Sequence, residues 1–136
     1  MPFVLDNSVA VAWGFEDEDS AYADRTLGLL DADPAVAPAV WPLEVANAIL
    51  VGERRGRLSA ADTARFLELL GGLPIAVEDA ALTGALGAVL DVGRTYGLTS
   101  YDASYLELAM RRGLPLATLD GRLADAAGRA GVELVE

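Results

Sequence analysis

Neither cysteine nor histidine occurs in the 136 residues, and all ten basic residues are arginine, so lysine is missing as well. Each absence removes a chemistry. Without cysteine there is no disulfide framework and no thiolate zinc site; without histidine there is no imidazole ligand, no histidine base and no Ser-His-Asp triad. Without lysine there is no Walker A loop, no Schiff base and no lysine at a phosphate site. Proline is sparse, at six residues, and no apolar run approaches the ~18 residues that mark a membrane span. The N-terminus has no basic segment ahead of an apolar stretch, and Asp6 interrupts the only candidate. No secretory signal is therefore expected, and the chain reads as cytoplasmic, without membrane association.

What remains is apolar and acidic. Hydrophobic residues make up 53%, which excludes a disordered acidic tail even though 21 acidic against 10 basic residues leave a net charge of −11. A chain of this length buries one sizeable core without staples, so one domain spanning residues 1–136 is expected. Repeats, charge blocks and Ser/Gly-rich linkers are missing.

Short apolar runs alternate with longer helical ones. Candidate strands are Phe3 to Leu5, Ala35 to Ala37, Ile75 to Val77, Leu116 to Leu119 and Val132 to Val135, each apolar on both faces as in a buried parallel sheet. Helices are expected at Ser8 to Phe15, Asp19 to Asp31, Pro42 to Arg55, Ala60 to Leu70, Asp79 to Tyr96, Asp102 to Arg112 and Arg122 to Ala130. Ala103, Leu106 and Met110 recur at helical spacing, as do Phe66, Leu69, Leu70 and Leu73, which gives each helix one apolar stripe. Strands separated by helices pair in parallel through crossovers, so the expected fold is α/β, a three-layer sandwich.

Two of the buried runs end on a carboxylate, Phe3 to Leu5 on Asp6 and Leu116 to Leu119 on Asp120. In open α/β sheets the functional crevice lies beyond the carboxyl ends of the strands, where both would sit. The plain structural reading is that each is a helix cap or an Asx turn. Glu44 falls in the first turn after Pro42, where it complements the helix dipole, and Asn47 follows on the same face. Asp102 stands three residues after Thr99, a capping-box-like spacing, although aspartate reaches back to the cap N–H less easily than glutamate. Taken together the acids need more than capping. Several carboxylates at one mouth repel one another, and no Arg directly adjoins them, so a bound cation is the natural compensation. Hard oxygen ligands suit Mg²⁺ or Mn²⁺, which activate water and offset charge on a phosphate under attack, so metal-dependent phosphodiester hydrolysis leads.

Asp6-Asn7-Ser8 after the first strand, Glu44-x-x-Asn47 at a helix start, Thr99-Ser100-Tyr101-Asp102-Ala103, and Thr118-Leu119-Asp120 after a late strand resemble the PIN-domain ribonucleases, in particular the VapC-type toxins of toxin–antitoxin pairs. The resemblance spans essentially the whole chain. It implies a five-stranded parallel sheet flanked by helices and an active site of four acids, Asp6, Glu44, Asp102 and Asp120, holding Mg²⁺ or Mn²⁺. Ser8 and Thr118 match positions that shape the metal site, and Asn47 a supporting polar position. The implied activity is endoribonuclease, acting as the toxin of a type II pair; the implied partners are a cognate antitoxin, an RNA substrate and a second copy of the chain. The net charge favours a basic partner and works against non-specific RNA attraction.

Arg54, Arg55 and Arg57 form one candidate RNA patch and Arg111 with Arg112 another, although each also closes a helix C-terminus, where cations are favoured anyway. Trp13, Trp41, Tyr101 and Tyr105 are able to stack bases, but core or dimer packing is the plainer use. A receiver domain or a dehalogenase-type phosphatase would also place Asp after the first strand, yet resembles families that use a lysine this chain lacks. No glycine-rich nucleotide loop is present. Two alternatives remain: a non-catalytic interaction module of the same fold, and an RNA-processing nuclease without an antitoxin.

Overall fold

The computed structural model describes residues 1–79 and 82–136, with the side chains of all of these but 82–85. Three three-residue strands, β1 (Phe3–Leu5), β2 (Ala35–Ala37) and β3 (Ile75–Val77), and a two-residue β4 (Leu116–Ala117) form one sheet in the order β3-β2-β1-β4, every pair parallel. Helices fill the connections: α1 (Asn7–Gly14), α2 (Ala21–Leu29), α3 (Trp41–Arg54), α4 (Ala60–Gly71), α5 (Leu82–Tyr96), α6 (Ser100–Arg112) and α7 (Gly121–Arg129). Helix α1 packs on α2, α3 and α4, while α6 packs on α5, α7 and strands β1 and β4. The α/β architecture is thus the one expected. Helix ends agree with the sequence reading to within one or two residues, except in the expected Asp79 to Tyr96 helix, where Asp79 is not helical and residues 80 and 81 lie outside the described residues.

The strand count differs. Among the described residues there are four strands rather than five, and Val132 to Val135 contributes only a parallel bridge, Leu116 with Leu134. The cause lies in β4, which stops at Ala117 instead of reaching Leu119. Past that point the N–H groups of Leu119 and Asp120 go to the hydroxyls of Ser8 and Thr118, at 2.9 and 3.0 Å, and leave the ladder. A two-residue partner supports only one bridge, closed by Leu116 N–H to Glu133 and Val135 N–H to Leu116. β3 also departs from expectation: it is an edge strand, with Ala76 and Val77 exposed.

The core follows from the runs that were apolar on both faces. Phe3, Val4 and Leu5 are buried, as are Ala35, Val36 and Ala37, and the α6 stripe joins them through Ala103, Tyr105, Leu106, Leu108 and Ala109. The proposed stripe continuations Met110 and Leu69 instead lie at the surface. With β1 central and its neighbours β2 and β4 reached by crossovers in opposite directions, the order of the strands switches at β1. Asp6 and Asp120 follow the two strands that flank this point.

Candidate active site at the mouth of the sheet

Asp6 occupies the position before α1, yet its carboxylate does not cap that helix. Its Oδ2 accepts two hydroxyls instead, from Ser8 at 2.6 Å and from Thr118 at 2.8 Å. Each hydroxyl in turn accepts a backbone N–H, from Leu119 and Asp120. A hydroxyl that accepts an N–H has its own proton free to donate, so both protons are directed onto Asp6. The two loops at the mouth are thereby tied together through one carboxylate. The other oxygen, Oδ1, is buried with no partner among the described residues, in a residue only 2% exposed. A buried lone acceptor of this kind is costly unless something positive meets it.

Glu44 arrives from the first turn of α3, where Trp41 opens the helix and Pro42 takes its second position. Its Oε1 accepts the phenol of Tyr105 at 2.6 Å, across from α6. Asp120 is the cap of α7, its Oδ1 accepting the Arg122 N–H at 3.1 Å, so the plain structural reading holds for one of its oxygens. Asp102 stands in the first turn of α6, where its N–H is capped by Thr99 at 3.2 Å. Aspartate is not too short for a capping box, contrary to expectation: Ser59 and Asp62 close a complete one on α4. Aspartate can reach back, but Asp102 does not.

Asp6, Glu44 and Asp102 are shifted by burial and by neighbouring charge. Burial pushes the Asp6 carboxyl above its ordinary range, with the Ser8 and Thr118 hydrogen bonds and the nearby Asn7 N–H pulling the other way and the charge of Asp120 adding to the rise. Burial likewise raises Glu44 against the Tyr105 hydrogen bond, and the charges of Asp6 and Asp102 raise it further. Asp102 is raised by burial, then by Asp120 and Asp6, while Arg122 opposes. Burial and the Glu44 carboxylate hold Tyr105 in its neutral, donating form. The structure therefore brings Asp6, Glu44, Asp102 and Asp120 to one mouth, with Ser8 and Thr118 bonded into it. Among the described residues, however, no three acids converge closely enough to chelate one ion without adjustment.

The other expected residues lie elsewhere. Asn47 is exposed one turn beyond Glu44, and no side-chain hydrogen bond joins the two. Arg54 and Arg55 are exposed at the far end of α3, about 15 Å along the helix from Glu44 at its ordinary rise. Arg57 grips Asp17 through two hydrogen bonds and Glu18 through a third, and stacks on the Phe15 ring at 4.3 Å. Arg111 is held by Glu78 and Glu107, with Arg112 3.7 Å from Glu78. Of the four aromatics singled out, Trp41 and Tyr105 are buried, Trp13 bonds the Ala23 carbonyl, and Tyr101 beside Asp102 is exposed. Two residues at the mouth were not anticipated. Tyr105 read as core, and nothing local to its helix signals a carboxylate on α3. Arg122 had a signal, two positions after Asp120 in the sequence.

A PIN domain family model matches residues 3–129 of the chain. The chain is 30% identical over 125 residues to Ribonuclease VapC3 from Pyrobaculum aerophilum, covering 92% of this chain and 94% of that protein. Its fold is similar to the crystal structure of PAE2754 from the same organism, with TM-score 0.68 and 27% identity over 93% of this chain and 87% of the other. It is also similar in fold to VapBC2 from Rickettsia felis, solved bound to a DNA fragment from their promoter, with TM-score 0.67 and 15% identity over 99% and 98% of the two chains. FitAcB from Neisseria gonorrhoeae gives TM-score 0.65 and 16% identity over 100% and 97%.

Proposed function

The chain belongs to the PIN domain family, and from that premise we propose that it is a Mg²⁺- or Mn²⁺-dependent endoribonuclease, the toxin of a type II toxin–antitoxin pair. The observation that carries the reading is the buried Oδ1 of Asp6, without a hydrogen-bond partner among the described residues, at a mouth shared with Glu44, Asp102 and Asp120. An acceptor-only donor set of carboxylates suits a hard divalent cation. The spread of the four acids suits one that takes one or two carboxylates directly and keeps water on its other positions, the habit of Mg²⁺.

Bound there, such a cation supplies a lowered pKa for water and a counter-charge for the phosphate under attack. The protein's own groups do the rest. Ser8 and Thr118 hold Asp6 still, Tyr105 holds Glu44, and the Asp120 cap fixes the start of α7. Arg122, beside Asp102 and on the acidic rim, is the arginine suited to a phosphate oxygen of the RNA. Tyr101, exposed beside Asp102, is suited to stack a base.

The partners proposed are an antitoxin and a second copy of the chain. The resemblance to VapC-type toxins supports the first, as does the net charge of −11, which favours a basic segment whose guanidinium reaches the acids. Apolar stripes support the second: Leu43 and Leu50 are exposed on α3, and Leu86 and Leu90 on α5.

The test is cleavage of purified RNA classes, with single-stranded DNA alongside, in Mg²⁺, in Mn²⁺ and in chelator. Cutting of RNA that stops with chelator and returns with added metal is expected. Equal cutting with and without chelator contradicts the metal, and no cutting of any RNA in either metal supports the non-catalytic module.

A further inference from the structure

The C-terminal segment meets β4 through one parallel bridge, and a side chain takes the place of the next rung. Leu116 donates its N–H to the Glu133 carbonyl and accepts the Val135 N–H, both at 2.9 Å. In a parallel ladder the following bond would run from the Thr118 N–H to the Val135 carbonyl. The Tyr22 hydroxyl stands there instead: it donates to the Val135 carbonyl at 2.7 Å, and the Thr118 N–H faces its oxygen. A phenol both donates and accepts, so it serves as a spacer in the ladder. We infer that Tyr22, on α2, is a positioning residue for the candidate active site, and that it acts by fixing the backbone at Thr118. This inference rests on the reading of that mouth as the catalytic centre.

Thr118 is where the strand becomes the site. Just before it, the Ala117 carbonyl accepts the Asp6 N–H at 3.0 Å, which ties β4 to the end of β1. The Thr118 hydroxyl donates to Asp6 Oδ2 at 2.8 Å and accepts the Asp120 N–H at 3.0 Å. A threonine side chain is stiff at χ1, so the place of that hydroxyl follows from the place of the Thr118 backbone. On the inner side the backbone is held by β1. On the outer side the Thr118 N–H has no carbonyl acceptor among the described residues, which leaves Tyr22 to hold it. Tyr22 is itself anchored: its side chain is half-buried against the core, and Ser20 caps the helix that carries it. Without the phenol oxygen, the Thr118 N–H and the Val135 carbonyl lose their shared partner, and Thr118 is free to shift away from Asp6.

Cleavage of single-stranded RNA in Mg²⁺ by the full chain, Tyr22→Phe, Thr118→Val and the double variant tests the inference, with amide hydrogen exchange followed by NMR on each. Phenylalanine keeps the ring and removes the hydroxyl. Tyr22→Phe is expected to lower kcat about tenfold with KM unchanged, the scale on which an outer partner acts, and to cause no further loss when added to Thr118→Val. The Asp120 amide, held by the Thr118 hydroxyl, should exchange about tenfold faster in Tyr22→Phe, while the Val4 amide of β1 keeps its rate. A merely structural role lowers the melting temperature and leaves kcat of the folded variant unchanged, and that result overturns the inference. Losses that multiply in the double variant overturn it too, because Tyr22 then acts by a route other than Thr118. The wild type alone also decides: an unprotected Thr118 amide overturns the inference even if the variant does not fold. If the wild type cuts no RNA, the catalytic reading itself fails, an outcome distinct from cutting with an unchanged kcat, and the Asp120 exchange then decides whether Tyr22 positions Thr118.

Discussion

At the scale of single residues, the mouth is built from hydroxyls that serve two masters. Thr118 accepts the Asp120 N–H and donates to Asp6, so it joins the strand end to the carboxylate. Thr118→Val keeps the shape, strands the Asp120 N–H and removes one donor from Asp6. A loss of about 1–3 kcal/mol in urea unfolding is expected, the usual cost of an unsatisfied buried polar group. A loss below a few tenths would mean that water already serves these groups. Part of this was legible in the sequence: an apolar strand that stops at a carboxylate names Asp6 and Asp120, and the family resemblance adds Ser8 and Thr118. Tyr105 was not legible, because its partner lies 61 residues away on another helix and a tyrosine on an apolar stripe looks like core. Arg122 was legible as a near neighbour of Asp120 but belongs to the mouth only because α7 starts there. The candidate arginines Arg57 and Arg111 are held by Asp17 and Glu78, both distant along the chain, and Arg111 also by Glu107 one turn earlier on its own helix.

At the scale of elements, α3 approaches the end of α1 closely. Gly52 in α3 lies where an added Cβ would stand 2.5 Å from the Phe15 ring, over which the Arg57 guanidinium also stacks. Gly52→Ala must push that ring away, and about 1–3 kcal/mol of destabilisation is expected from overpacking, read by urea unfolding. Because Gly52 sits two turns beyond Glu44, divalent-cation affinity should stay within about twofold, and a large drop in affinity would show that α3 moves as a unit. Helix positions were readable from periodicity because an apolar stripe at 3.6-residue spacing reflects burial directly. Strand length was not. β4 ends where side-chain hydroxyls capture its backbone N–H groups, a competition no hydropathy pattern displays, and the expected fifth strand shrinks to a bridge with it. Whether β3 lies at an edge is likewise decided by sheet order, which apolar content does not encode.

At the scale of the whole molecule, part of the negative charge lies where it is costly to keep. Asp6, Glu44 and Asp102 all have carboxyl groups raised above their ordinary values of 3.8, 4.5 and 3.8. A raised group binds more protons folded than unfolded, so its cost is absent below the ordinary value and grows as pH climbs through the raised one. In chelator, Asp102→Asn should therefore melt within a degree or so of the wild type below pH 3.8 and several degrees above it at neutral pH. A difference that does not change with pH would contradict mutual repulsion at the mouth. The exposed leucines make a second expectation at this scale: Leu43→Glu with Leu50→Glu should convert a dimer to a monomer in light scattering, and an unchanged mass would move the contact off α3. The central claim is that the acids gather to hold a cation that cuts RNA, and single-turnover cleavage of single-stranded RNA by Asp6→Asn in saturating Mg²⁺ tests it most directly. Asparagine keeps an acceptor for Ser8 and Thr118, so the fold should hold while the rate falls by more than about 100-fold, beyond the usual effect of an outer partner; a folded variant that cuts as fast as the parent would contradict the account.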